Sequence, residues 1–210
     1  MTAREERDEG HLDDIEVGPL TSLEVEDASG VLARGMRDNP NHVAVFGEDP
    51  TLRLARLGSF FETLNAIARW EALVARDREG TIVGVMTMSR PGRCHFTLGH
   101  EARTLSGDDA NDPGSTPRIA QWLEAWRERD PKERHWHLGP LAVEADLQGK
   151  GIGSELLRVF CAQLDAGREN AYGETDKLET VRFCERFGFE VVGDRTVLGA
   201  SNWFMLRRPH

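Results

Sequence analysis

Cysteine is scarce in this chain of 210 residues: Cys94, Cys161 and Cys184 are the only three. Their odd number and the lack of any metal-ligand spacing argue against a disulfide framework and a cysteine-held zinc site, and point to a reducing compartment, so a cytoplasmic location is expected. Long apolar runs are missing too: nothing approaches the ~20 residues that a membrane-spanning helix needs, and no membrane partner is expected. Positive charge is in deficit, with 26 Lys and Arg against 36 Asp and Glu and a formal net charge of −10. Nucleic acid is not an expected partner either, because neutralising phosphates takes a clustered basic surface. A negative field instead concentrates cations such as amines.

Part of that charge sits in Glu5, Glu6, Asp8, Glu9, Asp13 and Asp14. Met1 to Asp14 has no apolar signal core, so residues 1–14 read as an acidic, solvated leader and 15–210 as a single domain. With 39% hydrophobic residues, that length buries a substantial core. No internal repeat is evident.

Hydrophobic spacing lays out the elements. Ile15 to Leu20 reads as a first strand, and Thr21 or Ser22 as the cap of a helix from Leu23 to Arg37. Asp38-Asn39-Pro40-Asn41 stops that helix, and Val43 to Phe46 reads as a short strand or buried turn. Leu54, Leu57, Phe61, Leu64 and Ala68 recur at helical spacing, giving an amphipathic helix from about Leu52 to Arg69. Glu71–Arg76 and Thr81–Ser89 read as a hairpin across Asp77-Arg78-Glu79-Gly80. A loop from Leu105 to Pro117 precedes a helix whose Ile119, Trp122, Leu123 and Trp126 form one stripe, as core or cleft wall.

The most informative segment is Gln148-Gly149-Lys150-Gly151-Ile152-Gly153. It follows a strand, His135 to Val143, in which Gly139-Pro140 interrupts the ladder, and it opens a helix from Ser154 to Asp165. Strand, glycine turn and helix start together gather backbone N–H groups around an anion, because glycine allows angles that a β-carbon obstructs. The mononucleotide loop does not fit, since no Ser or Thr follows Lys150 and Gly151 in its pattern. The dinucleotide fingerprint lacks its third glycine.

The pattern Q-x-x-G-x-G after Leu141-Ala142-Val143 resembles the acyl-CoA-binding motif of the GNAT superfamily of N-acetyltransferases. Downstream, Ala171-Tyr172-Gly173-Glu174-Thr175, a helix stopping at Gly188-Phe189, and a last strand with Trp203-Phe204-Met205 are most similar to the puromycin-type antibiotic acetyltransferases. The likeness covers about the last third of the chain. It implies a mixed α/β (α+β) fold: a central twisted, mostly antiparallel sheet flanked by helices, whose fourth and fifth strands form a splayed parallel pair. Into that gap the pantetheine arm of acetyl-CoA would enter, bonded by the backbone around Leu141, Ala142 and Val143. Gln148, Gly149, Lys150, Gly151, Ile152, Gly153 and Ser154 would hold the pyrophosphate, and Thr180 stands where the subgroup has an asparagine near the cofactor.

The same resemblance implies transfer of an acetyl group from acetyl-CoA directly to a primary amine of a small, antibiotic-like molecule, by a monomer or homodimer. Such an amine must lose a proton to attack, so a base is needed near the central strands. His135 and His137 lie on one face of a strand and Glu174 on the next, making His137 and Glu174 the leading candidates. The family's usual tyrosine, thought to protonate the leaving thiolate, is replaced by Cys184, which reads either as an acid or as a small buried hydrophobe. Loss of that tyrosine keeps open an alternative, a catalytically weak acyl-CoA-binding protein or sensor. The His-x-His pair also suits a metal, but no third ligand has a recognisable spacing, so no metal is assigned. Asp176, three residues before Glu179, looks like a capping box for the following helix.

Overall fold

The computed structural model describes residues 14–67, 70–93 and 114–210. The leader expected over 1–14 lies outside them except for Asp14, as do Cys94 and the expected loop up to residue 113. Seven strands form one sheet: β1 (Glu16–Pro19), β2 (Glu71–Arg76), β3 (Ile82–Ser89), β4 (Trp136–Val143), β5 (Ala171–Thr175), β6 (Phe189–Val197) and β7 (Ala200–Arg207). Their spatial order is β1-β2-β3-β4-β5-β7-β6, and every neighbouring pair is antiparallel except β4 and β5.

Helices cover both faces. On one side α1 (Val25–Met36), α2 (Pro40–Phe46), α3 (Pro50–Ile67) and α4 (Ser115–Arg127) enclose Leu32, Leu57, Phe61 and Ile119. On the other, α5 (Ile152–Gly167) and α6 (Leu178–Glu185) pack Leu156, Phe160 and Val181 over Trp136 and Met86. Covered on both faces, β3 is buried at all eight positions and reads as a nearly continuous apolar run. The α5 stripe of Ile152, Leu156, Leu157, Phe160 and Leu164 is likewise buried, each such side chain contributing roughly 1.5–3 kcal/mol of transfer energy.

Four local expectations change. Val43 to Phe46 is neither strand nor turn but the end of α2, because Pro40, instead of only stopping the previous helix, occupies the first turn of a new one, where its fixed φ and missing N–H cost nothing. Thr21 does not cap α1; its N–H and hydroxyl both donate to the Glu24 carboxylate, at 2.9 and 2.6 Å. Asp176 does not cap α6. Its carboxylate accepts the backbone N–H of Asn41 in the first turn of α2, at 2.7 Å and 135 residues away in the chain. Pro117, expected to close a loop, already sits in the first turn of α4.

The β4–β5 pair sets up the site. Its register runs Trp136 to Ala171, His137 to Tyr172 and Leu138 to Gly173, and there it ends. On the other edge of β4, the pairing with β3 shifts between Met86 and Met88, so that Gly139-Pro140 opposes Thr87 alone, a bulge at the point where β4 leaves β5. A β-carbon on Gly139 would stand 2.4 Å from Thr87 Oγ1 and 3.3 Å from its carbonyl oxygen, so only glycine lets the two strands stay this close.

Candidate active site

The glycine turn leaves β4 through a short 3₁₀ segment, Ala145–Leu147, and enters α5 at Ile152. Gly149 and Gly151 adopt φ of 80° and 91°, the left-handed region that a side chain resists. Among the described residues, the N–H groups from Gly149 to Ser154 donate to no backbone acceptor, while the helix ladder begins with Glu155 N–H on the Gly151 carbonyl. Free first-turn amides and the positive end of the α5 dipole suit an anion such as a pyrophosphate. Gln148 turns inward instead. Its Nε2 donates to the Val143 carbonyl at 3.1 Å and ties the turn to the end of β4.

Where β4 and β5 part, a cavity of about 260 Å³ opens. Leu138, Gly139, Pro140 and Leu141 form one edge and Gly173, Glu174, Thr175 and Asp176 the other, with Thr180, Phe183 and Cys184 of α6 behind them. The far wall comes from α2, α3 and α4, chiefly His42, Phe60, Trp122 and Trp126. The turn reaches the cavity through Gly153, where a β-carbon would lie 3.5 Å from Leu141 Cδ2 and 3.7 Å from the Phe183 ring. The structure thus brings Leu141, Thr180, Cys184, His137 and Glu174 to one space. Ala142 and Val143 are buried next to it, and Lys150 is exposed.

The polar centre of the cavity holds a pair that the sequence offered only as alternatives: His137 Nε2 lies 3.0 Å from Glu174 Oε2. Glu174 is almost fully buried, whereas His137 keeps a fifth of its side chain exposed. A third acid joins them, Asp130, whose Oδ1 is 3.2 Å from His135 Nε2 and 3.7 Å from His137 Nδ1. Both imidazoles meet the ring of Tyr172 edge-on, at 5.5 and 5.8 Å. Tyr172 is the chain's one tyrosine. It is fully buried, donates its hydroxyl to the Arg129 carbonyl, and burial pushes its phenol far above the ordinary range, so it supports the histidines and supplies no acid.

Cys184 is a weak candidate acid for a physical reason. Burial, with Cys161 as a further contribution, pushes its thiol up to about 12. A thiol held that high is a poor proton donor to a departing thiolate.

Sequence patterns did not mark Asp130, which follows α4 and meets β4 only in space, nor His42. Burial holds the His42 imidazole down to about 4, so it is neutral near pH 7, and its Nδ1 lies 3.0 Å from the Met36 carbonyl oxygen. Its ring stands edge-on to Trp122 at 5.2 Å. Asn202 knits this wall to the sheet, its Oδ1 accepting from Asn41 Nδ2 at 2.7 Å and from Trp126 Nε1 at 2.9 Å.

Residues 118–191, from α4 into β6, match the acetyltransferase (GNAT) domain family. The whole described architecture also aligns with a solved structure described as a histone acetyltransferase HPA2 and related acetyltransferase from Corynebacterium glutamicum, at 25% identity and a TM-score of 0.71 over 94% of this chain and 97% of that one. The chain has the GNAT acetyltransferase fold. Two further GNAT-fold neighbours are arylalkylamine N-acetyltransferase 2 from Aedes aegypti (16% identity, TM-score 0.59, 93% and 99% covered) and a GNAT family acetyltransferase from Brucella melitensis in complex with acetyl-CoA (17%, 0.51, 92% and 87%). With the domain match over 118–191, the protein is an acyltransferase of GNAT fold, and the mixed sheet with its parallel β4–β5 pair is the one that the resemblance implied. No helix among the described residues is long and apolar enough to cross a membrane.

Proposed function

We propose that the protein is an acetyl-CoA-dependent N-acetyltransferase that moves the acetyl group directly onto the primary amine of a small molecule with an apolar or aromatic body. The observation that carries this reading is the 3.0 Å contact of His137 with Glu174 inside a cavity bounded by the parted edges of β4 and β5. The residues fit the donor substrate. Unbonded amides from Gly149 to Ser154 suit its pyrophosphate, and the unpaired edge of β4 beyond Leu138 suits the amides of its pantetheine arm.

The acceptor reaches the cavity as an ammonium ion, which the carboxylates of Glu174 and Asp130 favour. Its proton passes to the His137–Glu174 pair, directly or through water, and the neutral nitrogen attacks the thioester carbonyl. The attacking nitrogen sheds its second proton as the carbon–sulfur bond breaks and the electron pair leaves with sulfur, and that proton reaches the thiolate through water in preference to Cys184. The body of the acceptor lies against His42, Phe60, Trp122 and Trp126. That wall offers apolar and cation-attracting ring faces but, among its described residues on α2, α3 and α4, no carboxylate for a second ammonium. Antibiotic-like amines with aromatic groups belong to this class.

The reaction is tested by following release of free CoA thiol when the protein and acetyl-CoA are mixed with a panel of amines. Thiol release is expected to depend on the amine and to favour arylalkyl amines over polyamines of similar length. Tight acetyl-CoA binding without release on any amine overturns catalysis and leaves the sensor.

A further inference from the structure

We propose that Asp130, His135 and His137 form a binding site for one divalent transition-metal ion, of which Zn²⁺ is the representative. The sequence offered a His-x-His pair without a third ligand; the fold supplies it by turning the end of α4 against the start of β4. Asp130 Oδ1 stands 3.2 Å from His135 Nε2 and 3.7 Å from His137 Nδ1, and the three ligand atoms all lie within 4.8 Å of one another. Ligand atoms at about 2.0–2.1 Å from a tetrahedral zinc are roughly 3.3 Å apart, so shifts of a few tenths of an ångström to about one close the set.

The outer nitrogen of each ring decides where its lone pair points. His135 Nδ1 is 2.7 Å from the Glu133 carbonyl oxygen, which only accepts, so Nδ1 carries the hydrogen and a neutral ring has its lone pair on Nε2. His137 Nε2 is 3.0 Å from the Glu174 carboxylate, which places that ring's lone pair on Nδ1. Both rings thus turn their inner nitrogens toward the same carboxylate oxygen, an arrangement that a cation held among the three atoms suits. A backbone carbonyl behind one imidazole and a carboxylate behind the other are the partners that metal-ligating histidines use to fix their tautomer. Tyr172, packed edge-on beneath both rings, holds their planes. Two imidazoles and one carboxylate suit zinc, cobalt or iron(II), with the remaining coordination positions facing the cavity that Asp130 and His137 line.

Occupancy has a consequence for the neighbouring chemistry. With Nδ1 on the metal and Nε2–H given to Glu174, His137 has no lone pair left to take a proton. The metal is thus an inhibitor of transfer through His137. The site itself rests on geometry alone, and its test stands whether or not the acyltransfer reading holds.

Chelator-treated protein is titrated with Zn²⁺ by calorimetry and with Co²⁺ by visible absorption. One ion per chain is expected, with the absorption bands of low-coordinate Co²⁺. Asp130→Asn and His137→Gln should each weaken Zn²⁺ binding about tenfold or more, and Glu174→Gln should weaken it through the loosened His137 ring. Melting temperature in chelator verifies that each variant is folded, His137→Gln being the partly exposed one that keeps the test usable. No uptake by the unaltered protein, or uptake that both ligand variants leave unchanged, overturns the proposal.

Discussion

The two sides of the cavity are made of different material. The side toward the glycine turn is backbone: a bulge at Gly139-Pro140, a strand pair that ends at Leu138 and Gly173, and a run of unbonded amides entering α5. The opposite side is side chains, with His42 and Phe60 delivered by two consecutive helices and Trp122 and Trp126 by a third, distant one. On the proposed reading, backbone would hold what is common to every acyl-CoA, a pyrophosphate and amide groups, at little dependence on residue identity. Side chains present shape, and shape changes with each substitution. His137 and Glu174 sit where the two meet.

The largest test of this division strikes that meeting point. Glu174→Gln or His137→Gln should lower kcat by about 10²–10⁴-fold, the range for loss of a positioned base, while acetyl-CoA affinity measured by calorimetry stays within about twofold. A parallel fall in affinity would break the separation of the two sides. The next concerns His42, held at about 4 by burial against an ordinary 6.5. Between those values the unfolded chain binds a proton that the folded chain refuses. Its contribution is therefore fully present above pH 6.5 and is lost as pH falls toward 4, by about 3 kcal/mol. Urea titrations across that window should show the loss, and His42→Gln should flatten it.

Gly151→Glu addresses the backbone side. A side chain at φ 91° costs roughly 1–2 kcal/mol, and its carboxylate opposes the phosphates, so KM for acetyl-CoA should rise about tenfold or more with the amine KM unchanged. If the amine KM moves as much, the turn is not a donor site. The smallest effect is expected from Cys184→Ala, with kcat changed less than about twofold, because a thiol pushed up to about 12 is a poor proton donor. A loss of a hundredfold with folding and acetyl-CoA affinity intact would make Cys184 the acid.

The same division decides what could be read from the chain. The backbone geometry of the turn side was legible because each of its devices is written within a few residues: the glycines at 149 and 151 announce positive φ, and Gly139-Pro140 announces the break in a ladder. The His137–Glu174 contact was half legible, since strand alternation put the residues on neighbouring strands without giving the register that joins them. Asp130 was illegible, because nothing in Arg129-Asp130-Pro131 differs from an ordinary helix exit until β4 lies beside it. α2 was misread for a related reason. Four apolar residues have no period, and the group that stabilises its first turn, Asp176, comes from the other end of the chain.

That last hydrogen bond bears on how such a protein can diversify. Asp176 follows β5 directly, and α2 carries His42 and begins beside Asn39, both on the acceptor wall. That 2.7 Å contact, together with the Asn202 bonds to Asn41 and Trp126, ties the wall to the sheet across 135 positions of chain. Insertions and drift in that long interval can repaint the wall while the gap between wall and strand edge keeps its width. Specificity and reaction geometry are free to evolve at different speeds.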